Sequence, residues 1–181
     1  MGKLIFILGG VRAGKSSFAL ELAQKSGKKV TFIATATPMD SDMRRRIKIH
    51  KNTRPKEWKT IEVKSNLDKK IRQEKNGVIL MDCLTIYTSY LMDLPETQIL
   101  DHIKKIIKAI KESESDVILV SNEVGCGLHP ETKLGRDYRD VLGRTNQMFA
   151  EASDEFYVMF AGIPINIKQY GKNQPIRQAQ G

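Results

Sequence analysis

Eight consecutive residues, Gly9-Gly10-Val11-Arg12-Ala13-Gly14-Lys15-Ser16, satisfy G-x-x-x-x-G-K-[ST] in full and follow directly on the apolar run Leu4 to Leu8. An apolar strand that ends in such a loop turns its backbone N–H groups onto a phosphate. Gly9, Gly10 and Gly14 allow the close approach and unusual φ values this takes. In this reading Lys15 reaches the β- and γ-phosphates and the Ser16 hydroxyl ligates Mg²⁺. A helix is expected from about Lys15, with Phe18, Ala19, Leu22 and Ala23 at helical spacing and Gly27 as its stop; its partly positive N-terminus adds to the attraction. An ordinary glycine-rich turn would share the composition. Strand, motif and helix nevertheless come in the order a phosphate loop requires, so a bound nucleoside triphosphate is expected.

Two further groups carry possible chemistry. Val78-Ile79-Leu80-Met81-Asp82 reads as a buried strand ending in a carboxylate, which either holds Mg²⁺ or its water, or caps a helix expected over Leu84 to Met92. A helix started by Asp40 or Ser41 and running to about His50 places Met43, Ile47 and His50 on one face, with Arg44, Arg45 and Lys48 elsewhere. His50 then reads two ways, as a hydrogen-bonded core histidine or as a chemical group. Lys51-Asn52-Thr53-Arg54-Pro55 reads as a basic loop, since Pro55 disfavours helix at Arg54.

The elements that must position these residues alternate. Val30 to Ala34, Trp58 to Val63, Val78 to Asp82, Val117 to Ser121 and Phe156 to Phe160 are strand-like, and Gly162 to Ile167 is expected to pair at an edge, where Pro164 is tolerated. Helices are expected over Leu67 to Glu74, from Thr97 with Ile99, Leu100, Ile103, Ile106, Ile107 and Ile110 inward, and over Glu131 to Ser153 with Leu134, Tyr138, Val141, Leu142, Thr145, Met148, Phe149 and Ala152 inward. His102 falls at the border of its helix and reads as inert. Asn122-Glu123-Val124-Gly125 follows a strand, where open α/β sheets bind ligands. The pattern predicts an α/β P-loop NTPase fold, a mostly parallel sheet flanked by helices. It forms one domain over residues 1–168, with a polar tail, 169–181, expected to be disordered.

The chain of 181 residues carries a formal charge of +9. Residues 40–59 hold eight Lys or Arg against three Asp or Glu, so much of the surplus sits in one segment. Beside a phosphate loop, and with Trp58 the only aromatic there, this favours a phosphorylated small molecule over nucleic acid. The N-terminal apolar run is too short for a membrane span or a secretory signal. Cys83 and Cys126 show no metal or disulfide spacing, so a soluble, cytoplasmic protein is expected.

Several stretches together resemble the bifunctional adenosylcobinamide kinase/adenosylcobinamide-phosphate guanylyltransferases of cobalamin biosynthesis. They are Gly9 to Ser16, Ile33-Ala34-Thr35, His50-Lys51-x-x-Arg54-Pro55-x-x-Trp58, Asn122-Glu123-Val124-Gly125 and Gly143-Arg144-x-Asn146-Gln147, in family order, within a similarity from about Lys3 to Lys168. The resemblance implies a recombinase-like sheet, a homotrimer, Mg²⁺, and two reactions. GTP or ATP phosphorylates the aminopropanol hydroxyl of adenosylcobinamide; GTP then guanylylates a histidine, which passes GMP to adenosylcobinamide phosphate. The histidine matching the nucleophile is His50. Ala34, Thr35, Ala36, Lys51, Asn52, Thr53, Arg54, Glu62 and Asp82 match the guanine-nucleotide site. Two positions depart, Ile49 and Asp82, where a family member carries a second histidine and a Glu. A small-molecule kinase without guanylyl transfer and a non-catalytic nucleotide-binding regulator are the competing readings.

Overall fold

The computed structural model describes residues 2–36 and 41–170, apart from the side chains of Asp42, Met43, Arg46, Ile49, His50 and Tyr170. The elements are β1 (Leu4–Gly9), α1 (Lys15–Lys25), β2 (Val30–Ala34), α2 (Ser41–Asn52), β3 (Lys59–Glu62), α3 (Leu67–Gln73) and β4 (Val78–Asp82). There follow α4 (Leu84–Ser89), α5 (Glu96–Lys111), β5 (Asp116–Asn122), α6 (Lys133–Ala152), β6 (Glu155–Phe160), β7 (Ile163–Asn166) and α7 (Ile167–Tyr170). The strands form a seven-stranded sheet of order β3-β2-β4-β5-β1-β6-β7, parallel except for the β6–β7 pair. Pro164 lies on β7 at the sheet edge, where its missing N–H breaks no central ladder.

Alternation along each central strand feeds two cores. Leu4, Phe6, Ile79, Met81, Val117 and Leu119 face one side with α3, α4, α5 and α6; Ile7, Val78, Leu80, Ile118 and Val120 face the other with Ala19 and Ala23 of α1. Both faces are covered, so the strands read as unbroken apolar runs. The α5 stripe Ile99, Ile103, Ile106 and Ile110 is buried, each side chain contributing roughly 1.5–3 kcal/mol. α1 ends at Lys25, with Gly27 at φ 64° just beyond it.

Several boundaries differ from expectation. α2 continues through Asn52, so Lys51 and Asn52 are helical; Pro55 restrains only the residue before it and leaves the preceding turn free. α4 stops at Ser89 and gives way to tighter turns, in which Tyr90, Leu91 and Met92 N–H groups donate to carbonyls three residues back. Leu134 is 64% exposed, because it lies in the first turn of α6, ahead of Val141, the first buried residue of that helix. Gln169 belongs to the short α7 rather than to a tail; residues 171–181, like a cap at Asp40, lie outside the described residues. The inward face expected of Met43 and His50 also falls on side chains outside the description.

Candidate nucleotide site

Parallel pairing lines up the strand ends that build the site. Gly9 of β1 stands beside Asn122 of β5, Asp82 of β4 beside Val120 of β5, and Ala34 of β2 beside Asp82. The loop that follows β1 is packed against the β6–β7 turn. A Cβ at Gly9 would stand 2.6 Å from the Met159 carbonyl oxygen, so only glycine fits there. Gly14 takes φ 91° as it caps α1, and Gly162 N–H donates to the Ala13 carbonyl at 3.2 Å. Arg12, at φ 58°, is left-handed as well, whereas Gly10 has no positive φ and open space around it. The three glycines therefore act differently, Gly9 by close approach and Gly14 by conformation.

Lys15 is only 7% exposed, and its ammonium donates to the Gly10 carbonyl at 2.6 Å. Burial lowers its pKa from the ordinary lysine value, with the Asp82 carboxylate opposing. Ser16 Oγ donates to Asp82 Oδ2 at 2.7 Å, joining the first turn of α1 to the end of β4 across the interposed β5. Asp82 thus stands where a strand-end carboxylate can share a hard cation with Ser16. Among the described residues there is no cluster of three or more His, Cys, Asp or Glu that could hold a metal ion. Two oxygen ligands are the sparse protein share that Mg²⁺ takes when phosphates and water complete its shell.

A cavity of about 540 Å³ opens here, lined by Val11 to Ser16, Ala34, Ala36, Arg45, Ile47, Lys51, Arg54, Glu62, Asp82 and Asn122, among others. Its cations Arg12, Lys15, Arg45, Lys51 and Arg54 outnumber the acids Glu62 and Asp82, a balance suited to a polyanion. The Arg54 guanidinium lies 3.9 Å from the centroid of the Phe32 ring, and burial lowers its pKa from the ordinary arginine value. Lys51 Nζ and Glu62 Oε1 stand 3.7 Å apart at the exposed rim.

Thr35 does not line the cavity. Alternation beyond β2 turns it away from Ala34 and Ala36, and its buried Oγ1 accepts the Cys83 N–H and donates to the Cys83 carbonyl, both at 2.9 Å. Asn52 and Thr53 are exposed and do not line it either. His50 is placed by its backbone in the last turn of α2, between Ile47 and Lys51, which both line the cavity; its side chain lies outside the described residues. Cys83 is buried beside Asp82, and burial pushes its thiol up to about 11, so it stays protonated and chemically quiet. His102 accepts or donates a hydrogen bond with the buried Tyr87 hydroxyl at 2.8 Å, a packing role.

A polar network that residue spacing does not reveal lies behind the cavity. Ser121 Oγ donates to Asn146 Oδ1 at 2.7 Å, Asn146 Nδ2 donates to the Asn122 carbonyl at 3.2 Å, and Asn122 N–H and Nδ2 donate to Thr85 Oγ1 at 2.9 and 3.1 Å. Tyr138 donates to the Thr85 carbonyl, tying α6 to α4. The available signal was Asn146 itself, which stands four residues after Leu142 and three before Phe149, on the buried face of its helix.

An interposed strand between the phosphate-loop strand and the acidic strand, with Lys15, Ser16 and Asp82 converging at their ends, defines a P-loop NTPase fold. The same fold is seen in a protein of Pyrococcus horikoshii OT3 (TM-score 0.58, 8% identity, covering 91% of this chain and 85% of that one). It is seen too in the RadB recombinase (TM-score 0.52, 12% identity, 87% and 74% covered). Within that class the chain belongs to the cobinamide kinase / cobinamide phosphate guanyltransferase family, whose sequence model matches residues 5–167. It is 36% identical over 181 residues to the bifunctional adenosylcobalamin biosynthesis protein CobU of Escherichia coli (strain K12), covering 91% of this chain and 99% of that protein. It is 38% identical over 165 residues to the bifunctional adenosylcobalamin biosynthesis protein CobP of Pseudomonas aeruginosa, covering 90% and 95%.

Proposed function

We propose that this protein performs both reactions of its family in cobalamin biosynthesis, on adenosylcobinamide and then on adenosylcobinamide phosphate, with the triphosphate of GTP, or of ATP in the first step, in the phosphate loop. The observation that carries the reading is one cavity shared by the loop, Asp82 and the basic end of α2. In the first reaction the acceptor hydroxyl oxygen bonds to the γ-phosphorus, the β,γ-bridging bond breaks, and the hydroxyl proton is lost. In the second, an imidazole nitrogen of His50 bonds to the α-phosphorus and pyrophosphate leaves; an acceptor phosphate oxygen then takes the GMP and frees the histidine.

Lys15 and the loop amides bind and orient the β- and γ-phosphates, and Lys51 and Arg54 offset charge at the α-phosphate side. Ser16 and Asp82 would hold Mg²⁺, which when bound would neutralise phosphate charge as it shifts during transfer. A homotrimer and a cytoplasmic location go with the family resemblance. The exposed apolar Phe160 of β6, Ile163 and Ile165 of the edge strand β7, and Ile167 of α7 offer a surface for self-association. No described helix is long and apolar enough to cross a membrane.

The test is direct. Purified protein with Mg²⁺, GTP and adenosylcobinamide is expected to yield first the phosphate and then the GDP derivative, resolved by mass. Phosphate alone would reduce it to a plain kinase; tight GTP binding with no product would make it a regulator.

A second expected result concerns the basic rim. GTP affinity should weaken with added salt, because partly exposed charges are screened over about 8 Å at physiological ionic strength. The double substitution Lys51→Ala, Arg54→Ala should flatten that dependence in a titration series. An unchanged slope would place the triphosphate away from the end of α2.

A further inference from the structure

We propose that the phosphate loop is loaded twice in each guanylyl transfer: once pyrophosphate has left, it takes the phosphate of the acceptor, with Arg12 as the cation that holds it. The proposal rests on the guanylyl transfer argued above and adds where its second substrate sits. At each displacement on phosphorus the entering atom stands in line with the bond that breaks. When a nitrogen of His50 bonds to the α-phosphorus, the bond to the α,β-bridging oxygen breaks, so the histidine stands opposite the pyrophosphate. That pyrophosphate is the pair of phosphates held by the loop and Lys15. In the return step an acceptor phosphate oxygen bonds to the same phosphorus, the phosphorus–nitrogen bond breaks, and its electron pair returns to the imidazole. The entering oxygen therefore stands opposite the histidine, on the side that the pyrophosphate left. The loop and the end of α2 line one cavity, so the vacated space is the loop itself.

The charges of the cavity fit such a guest. A phosphate monoester is close to doubly charged near neutral pH. Lys15 donates to the Gly10 carbonyl, Lys51 faces Glu62 at 3.7 Å, and Arg54 lies against the Phe32 ring. Arg12 lines the same cavity from the exposed turn of the loop, ahead of the buried Ala13 and Lys15, and has no ion pair among the described residues. Its backbone lies in the left-handed region, at φ 58°, which a residue with a Cβ enters at a cost; such positions collect where ligands are gripped. A guanidinium on that turn presents paired N–H donors to the oxygens of a phosphate. The acceptor of the first reaction ends in a hydroxyl and makes no such demand, so Arg12 separates the phosphorylated acceptor from its precursor.

The experiment is equilibrium dialysis of the parent protein, with Mg²⁺ and no nucleotide, against adenosylcobinamide phosphate or adenosylcobinamide, with inorganic pyrophosphate as the competitor. Pyrophosphate at about ten times its own dissociation constant should weaken binding of the phosphorylated acceptor about tenfold, rising in proportion to its concentration without a plateau. Binding of adenosylcobinamide should change by less than about twofold. Arg12→Gly removes the cation at a φ that glycine adopts freely, so the variant should fold. It should lower affinity for the phosphorylated acceptor by about tenfold or more, a change of about 1.4 kcal/mol, with adenosylcobinamide held within about threefold. Arg12→Lys should recover part of the loss. A plateau, which means that pyrophosphate and the acceptor phosphate bind together, or equal losses for the two acceptors in Arg12→Gly, would overturn the assignment while leaving guanylyl transfer standing. Failure of both acceptors to bind the parent would remove the proposed function and this assignment together.

Discussion

In protein carrying His50→Asn, incubation with Mg²⁺ and α-labelled GTP leaves the chain unlabelled, whereas the parent acquires one GMP that acid removes and alkali preserves. That lability distinguishes a phosphoramidate from a phosphoester. The expectation rests on the family match at His50-Lys51-x-x-Arg54 and on the place of its backbone in α2, three residues after Ile47 and one before Lys51, both of which line the cavity. The attacking group is a neutral imidazole, so acid that protonates the ring should suppress labelling of the parent. Guanylyl transfer should be lost with the label. Nucleotide binding and some phosphorylation of the acceptor should persist, because the phosphate loop is untouched. A labelled His50→Asn protein, with the GMP mapped to His102 or His129, would remove the main support for the guanylyl-transfer mechanism. His102 is engaged with Tyr87, and His129 stands 3.1 Å from an Arg139 guanidinium nitrogen; neither lines the cavity.

Lys15→Ala should reduce both the phosphoryl and the guanylyl transfer by on the order of a hundredfold or more, the cost of losing one preorganised charge at a transferring phosphate. Both reactions share the loop, so both rates should fall. The ammonium is buried and anchored to the Gly10 carbonyl, which places its charge before any nucleotide binds. Steady-state rates of the two steps, measured separately with adenosylcobinamide and with its phosphate, check this, and thermal unfolding confirms that the variant remains folded. If both rates stayed within about threefold of the parent, under ~1 kcal/mol of barrier, a single loop would not serve the two reactions.

Much of this site was legible in the chain because its parts are local. Gly9 to Ser16 is contiguous, and strand, loop and helix need only be read in order. Asp82 was legible as the end of an apolar run, and the parallel sheet followed from the alternation of strands and helices. The individual glycines were less so. Which of them supplies close approach and which supplies a positive φ depends on Met159 and Gly162, about 150 residues downstream. Thr35 matched the family's nucleotide site by position, yet alternation sends it to Cys83, a signal that was present and unused.

The phosphate loop, the order of strands and helices, and the family can be read from the chain alone, because each is a pattern along it: contiguous spacing, hydrophobic period, and segments in a fixed order. The folded arrangement alone set β5 between β1 and β4, and hence Asn122 between Gly9 and Asp82. It also decided that Thr85, Ser121, Asn122 and Asn146 close one hydrogen-bonded ring. A polar side chain inside an apolar strand or helix shows that a partner must exist, since burial without one is costly. Which partner it finds depends on strand order and on the angle at which α6 and α4 lie on the sheet, and neither is written in the spacing of residues along one element.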